Sequence, residues 1–199
     1  LHAVMAILAA VIERERSGMG QYIDISMTDC AVSLNAMAAA ASLAAQEPQE
    51  PEKGMLNGGS FYDYYETQDG RYFAVGSLEP QFMSGLAAAL DLPILMSKGM
   101  SFDPDDRKTV KAALQEKFRT QSFSIWQQLF KNLDICVEPV LGLEEALSST
   151  LSEQRGWVVD VPLSTNNEQS EPQLACPIKF SRSQMHYGFI GQKLGEGKW

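Results

Sequence analysis

A chain of 199 residues that is 45% hydrophobic and 21% charged holds enough apolar material for one or two soluble globular domains. A formal net charge of −9, with its 16 lysines and arginines scattered, argues against a general nucleic-acid binder and means that an anionic substrate would need a local basic pocket. The cysteines Cys30, Cys136 and Cys176 are far apart and lack metal-ligand spacing, no apolar run is long enough to cross a membrane, and nothing at the start reads as a signal peptide, so no disulfide framework and no metal are expected, and the setting expected is a reducing cytoplasm or an organelle matrix.

The first predicted element is an amphipathic helix already under way at Leu1, with Leu1, Val4, Leu8, Val11 and Ile12 on one face and polar residues from Glu13 to Arg16. Gly18 and Gly20 close it. Because the chain begins without Met and inside that helix, it reads as cut from something longer. "QYIDISM" alternates Ile23, Ile25 and Met27 with Asp24 and Ser26, as a strand does. Thr28 or Asp29 can then cap an alanine-rich helix running to Ala45. Its small residues would permit close approach of another helix or a partner subunit, although alanine is also simply a strong helix former.

"QEPQEPEKG", Gln46 to Gly54, is a charged, proline-containing linker and marks a domain boundary. The glycine loop "LNGGS", Leu56 to Ser60, follows it; without the spacing of a phosphate-binding motif, it reads as a hinge. Next, "FYDYYET" and "RYFAVGSL" are aromatic and β-branched runs separated by "QDG", which predicts a hairpin turning at Asp69-Gly70. The second run is apolar at Phe73, Val75 and Leu78 and ends on Glu79, immediately before Pro80. Proline suits the first turn of a helix through "PQFMSGLAAAL", so Glu79 falls at a strand-to-helix junction whose N-terminal dipole favours its charged form. Two readings follow: Glu79 caps the helix, or its carboxylate accepts from a cationic or imidazole partner and orients it for catalysis.

Helices are predicted from about Pro104 to Arg119, with Asp103 as cap, and from about Phe123 to Leu133. "ICVEPVL" reads as a strand, "GLEEALSS" as a short helix, "GWVVDVPL" as a further strand and "STNNEQSEPQ" as a polar loop. The histidines, His2 and His186, sit in no recognisable catalytic or metal-ligand arrangement. From the residues alone the chain is a two-part α/β protein with a glycine loop near one poised carboxylate.

The ordered segments "RERSGMGQYIDISMTDCAVSL", "LNGGSFYDYYETQDGRYFAVGSLEPQF", "DICVEPVLGLEEAL" and "EQRGWVV" resemble the second half of class III CoA-transferase (CaiB/BaiF) family proteins. The "EPQF" form is closest to the α-methylacyl-CoA racemase branch. The resemblance implies a remnant of a large Rossmann-like α/β domain plus a smaller α+β domain with an antiparallel sheet. Residues 1–45 would be part of the large domain, 46–60 the linker and glycine loop, 61–140 the small domain and 141–199 a return to the large domain. It also implies a cofactor-independent isomerase that removes the α-proton of a 2-methylacyl-CoA to form an enolate and returns it on either face, with coenzyme A entering only as part of the substrate.

By the same match Glu79 would orient a catalytic histidine, and Leu56, Tyr62 and Leu78 would line the acyl pocket beside Gly58 and Gly59. The segment between Gly59 and Asp69 is one residue shorter than the family pattern and lacks its usual proline. The histidine and aspartate that move the proton are expected upstream of Leu1, so the 199 residues alone are expected to be inactive, and the complete protein is expected to be an interlocked homodimer with no nucleic-acid or membrane partner. Two alternatives stand beside the racemase. One is a family CoA-transferase working through an acyl-aspartyl intermediate, and the other is a non-catalytic segment that binds a partner half or a dimer mate.

Overall fold

The computed structural model describes residues 1–45, 50–51, 53–56, 58–164 and 169–191. Much of the expected linker (46–49 and 52), Asn57 of the glycine loop and 165–168 of the polar loop lie outside the described residues. The chain divides into two compact units, Leu1–Glu138 and Pro139–Trp199.

The first unit opens with α1, His2–Ser17, which ends where Gly18 turns left-handed at φ 76° and its amide bonds to the Arg14 carbonyl. No α1 residue is buried, and Val4, Leu8 and Ile12 of its apolar face are more than half exposed. Residues 21–26 form no strand, contrary to the expectation for "QYIDISM". A strand needs a neighbour to take its backbone groups, and alternation supplies the side-chain pattern without supplying that neighbour. Ser26, rather than Thr28 or Asp29, caps α2, Met27–Leu34: its Oγ accepts from the Asp29 amide at 3.3 Å. The single helix expected to reach Ala45 is interrupted at Asn35, whose Nδ2 donates back to the Ala31 carbonyl. It resumes as α3, Ala36–Ala40, and a π-helical turn, Ala41–Ala45.

The sheet of this unit has the order β1-β2-β3, where β1 is Asp63–Glu66, β2 is Tyr72–Val75 and β3 is Val137–Pro139, whose last residue is the first of the second unit. β1 and β2 are antiparallel, with Asp63 opposite Val75 and Glu66 opposite Tyr72. Their connection is the expected hairpin. The Thr67 amide bonds to the Arg71 carbonyl, the Gly70 amide bonds back to the Thr67 carbonyl, and Gly70 sits at φ 75°, as a three-residue loop ending in a left-handed glycine requires.

Four helices pack beside this sheet: α4, Pro80–Leu90; α5, Ile94–Lys98; α6, Pro104–Phe118; and α7, Phe123–Phe130. α6 starts as predicted, with the Asp103 carboxylate accepting from the amides of Asp105 and Asp106 at 2.8 and 3.2 Å. Apart from Val161, every buried hydrophobic side chain among the described residues lies between Phe61 and Val137. At its centre Phe118 stacks on Tyr65 at 5.4 Å between ring centroids and also meets Phe73, Trp126 and Phe130. The polar ends of this cluster are satisfied: the Tyr65 hydroxyl donates to the Phe61 carbonyl and the Trp126 indole to the Phe118 carbonyl, both at 2.8 Å.

The second unit carries α8, Leu143–Leu147, and α9, Thr150–Arg155, followed by the antiparallel pair β4, Val158–Pro162, and β5, Ser170–Leu174. β5 occupies the latter part of the stretch expected to be a polar loop. Its residues are all exposed, so no period-2 pattern announced it; pairing with β4 makes it a strand.

Candidate functional site

The site singled out in the sequence is built where β2 leaves the sheet. The Gly76 amide bonds to the Cys136 carbonyl at 2.7 Å, the buried Ser77 hydroxyl donates to the same carbonyl at 3.3 Å, and the Leu78 amide turns back to the Gly76 carbonyl at 2.8 Å. That tight exit delivers Glu79 in an extended conformation, φ −66° and ψ 140°, at the N-cap of α4, with Pro80 opening the helix. The Glu79 carbonyl accepts from the Met83 amide at 2.8 Å, but its carboxylate takes no hydrogen bond from the helix. It is exposed and makes no ion pair among the described residues. Of the two readings, the backbone therefore occupies the cap position while the charge stays available to a partner. Its reach is visible in Cys136: burial pushes that thiol up, and the negative charge of Glu79, then those of Asp134 and Glu138, push it further.

Leu56, Gly58 and Tyr62 come together. With Ala74 of β2 and Gly76 just beyond it they line a cavity of about 300 Å³. Tyr62 is seated on Gly76, where a Cβ would lie 3.1 Å from its ring, and its amide donates to the Ser60 hydroxyl, which donates in turn to the Met55 carbonyl. Leu78, half-buried, and Glu79 are not on that lining, and Gly59 faces a second cleft. The Gly59 amide bonds to the Gly54 carbonyl at 3.0 Å, and a Cβ at Gly59 would come within 2.1 Å of the Lys53 carbonyl oxygen, so the approach of the two strands of the turn excludes any side chain.

The second cleft, about 700 Å³, is lined by Lys53, Arg107, Lys108 and Lys111 together with Gly58 and Gly59. It is a basic pocket in a chain of net charge −9. Sequence reasoning missed Lys111 and its partner Asp63. Their ion pair at 2.5 Å joins α6 to β1, and no local pattern records so long a separation. Burial pushes the Asp63 carboxyl up, but the hydrogen bond from Lys111, the Tyr64 amide and the Lys111 charge outweigh it and leave it below the usual carboxylate value. Among the described residues no cluster of His, Cys, Asp and Glu is placed to hold a metal ion, and no helix is long and apolar enough to cross a membrane.

This arrangement can be set beside known proteins. The family model for CoA-transferase family III matches residues 1–195. The chain belongs to that family. Among curated members, the alpha-methylacyl-CoA racemase of Mus musculus is 34% identical over 184 residues, covering 89% of this chain and 45% of the racemase. The Homo sapiens succinyl-CoA:glutarate CoA-transferase is 26% identical, covering 93% of this chain and 42% of that protein. A solved CAIB/BAIF family protein from Brucella suis superposes with a TM-score of 0.73 at 24% identity, covering 98% of this chain and 50% of that one. The chain thus has the fold of the corresponding part of a CoA-transferase family III protein and spans about half the length of the relatives that it matches.

Proposed function

We propose that the protein carrying these residues is an acyl-CoA racemase. It takes the α-proton from a 2-methylacyl-CoA thioester, passes through an enolate stabilised by the thioester carbonyl, and returns the proton on either face. The observation that carries this reading is the Glu79 carboxylate, exposed at a helix N-terminus with its charge unpaired by the helix it begins. A carboxylate so placed accepts from an imidazole N–H, fixes the ring's orientation and favours the imidazolium that forms as the proton is taken. Leu56, Gly58 and Tyr62, gathered on one cavity, serve as acyl wall, without Leu78 and Gly59, which lie off that lining. Identities of 34% and 30% to the mouse and human alpha-methylacyl-CoA racemases support the racemase branch.

The imidazole and the second acid/base group come, on this reading, from outside the 199 residues. His2 lies against the Ser33 hydroxyl at 3.5 Å, and His186 belongs to the second unit. Residues 61–140 act as the small domain, and 1–45 with 141–199 as parts of a large Rossmann-like domain, in a homodimer that shares its sites between subunits. The likeness to a succinyl-CoA:glutarate CoA-transferase favours a second reading, CoA exchange between carboxylic acids through an acyl-enzyme anhydride.

The two readings part in one experiment. The whole protein, and separately the 199-residue chain, is incubated with a 2-methylacyl-CoA and a carboxylic acid as CoA acceptor in deuterated water and followed by NMR and mass spectrometry. Solvent deuterium at the α-carbon without CoA transfer is expected for the whole protein, and none above the buffer rate for the chain alone. A covalent acyl-enzyme with CoA transfer and no exchange would select the transferase.

A further inference from the structure

The Lys111 ammonium makes two bonds in different directions: it donates to the Gly58 carbonyl at 2.9 Å and pairs with the Asp63 carboxylate at 2.5 Å. Gly58 and Asp63 each line both the 300 Å³ cavity and the 700 Å³ cleft, so this three-way junction is part of the wall between them. The surroundings give it a particular task. β1 is an edge strand, and α6 covers that edge with residues one helical turn apart. Gln115 takes the Glu66 amide on its Oε1 at 3.3 Å and gives its Nε2 to the Glu66 carbonyl at 3.0 Å, while Arg119 pairs with the Glu66 carboxylate at 2.7 Å. Those two hold the far end of β1. Lys111 holds the near end and also reaches past the strand into the glycine turn, where Gly58 sits at φ 78° and the Gly59 amide is bonded only locally, to Gly54.

We propose that Lys111 is a positioning residue: with Asp63 it ties the Gly58–Gly59 turn to α6 and so sets the shape of the cavity formed by Leu56, Gly58 and Tyr62. This rests on the reading that the cavity takes the acyl part of the substrate. A lysine suits the task because its ammonium offers three donors around a point charge and can serve a carbonyl and a carboxylate that lie in different directions. The pair is half-buried, each side chain 32% exposed, so water competes with it less than at an open surface.

Amide hydrogen exchange, read by NMR on the 199-residue chain, tests the tie without any activity. In Lys111→Met the Gly59 amide should exchange at least about tenfold faster, with the amides of Phe73 and Leu114 within about twofold of the parent. Lys111→Arg, which keeps a charged donor, should bring Gly59 back to within about threefold. A Gly59 rate in Lys111→Met within twofold of the parent, or an arginine variant as fast as the methionine one, overturns the proposal. Should Lys111→Met fail to fold, Lys111→Gln decides by the same Gly59 criterion, since its side chain keeps a polar end but is one atom shorter and uncharged. In the whole protein, Lys111→Met should raise KM for a 2-methylacyl-CoA at least fivefold with a smaller fall in kcat, and a loss confined to kcat would overturn the link to the cavity. If the whole protein exchanges no α-proton at all, the functional reading fails and the Gly59 rates still decide the tie.

Discussion

Glu79 is where one residue's chemistry is most exposed to test. Its backbone serves α4 and its carboxylate does not, so Glu79→Gln keeps the junction and removes only the charge. In the whole protein α-proton exchange should fall by about a hundredfold or more while substrate binding is retained, because support for the imidazolium is lost. Deuterium entering the substrate at the parental rate would reduce Glu79 to a helix-terminal residue. Gly70 tests backbone alone. A Cβ there would meet nothing within 4 Å, yet φ is 75°, so Gly70→Ala should cost about 1 kcal/mol from the left-handed conformation, read as a lowered urea midpoint with an unchanged slope. The sequence placed Gly70 by its "DG" pair and Glu79 by the strand end and proline beside it, each a signal only a few positions long.

Among the elements, α7 depends on the hairpin. Its N-cap residue Ser122 makes no side-chain cap, and the Asp69 carboxylate from the β1–β2 connection takes the Phe123 amide at 2.9 Å and the Thr67 hydroxyl at 2.6 Å instead. The hydrogen bond from Thr67, then that from the Phe123 amide, hold the Asp69 carboxyl below its usual value of 3.8. A depressed carboxylate stabilises the fold fully above its unfolded pKa and loses that contribution as pH falls through its lower folded value. Asp63 behaves in the same direction, so acid unfolding should begin below about pH 4, and Asp69→Asn should flatten part of that limb in a pH series of urea midpoints. The core is a sharper test still. Phe118 is fully buried among four aromatic rings, so Phe118→Ala should cost about 3–5 kcal/mol, read by urea unfolding. A loss below 1 kcal/mol would mean that the cluster does not hold the helices to the sheet.

Across the whole molecule, burial is uneven in a way that predicts a hierarchy of opening. With the hydrophobic core confined almost wholly to 61–137 and no buried residue in α1, α2 or α3, backbone amides of β1, β2 and α6 should exchange only through the largest openings, while those of α1 to α3 exchange through smaller ones. Native-state exchange in increasing denaturant checks this; equal protection in α1 and α6 would refute it.

What the sequence determined by itself was whatever is encoded within a turn or two of chain. The hairpin between β1 and β2, the Asp103 start of α6, the Gly18 stop of α1 and the Pro80 entry to α4 all follow from residue types at fixed short spacings, and the ordered motifs carried the family. Tertiary structure decided what depends on a partner far along the chain. "QYIDISM" alternates like a strand and forms none, while the wholly exposed β5 pairs with β4, because a strand is defined by the neighbour that takes its hydrogen bonds. The same holds at the site. Leu56, Gly58 and Tyr62 could be named from motifs, but the tie from Lys111 to Gly58 and Asp63 crosses from α6 to the glycine turn, and only folding brings a lysine there within bonding distance of both.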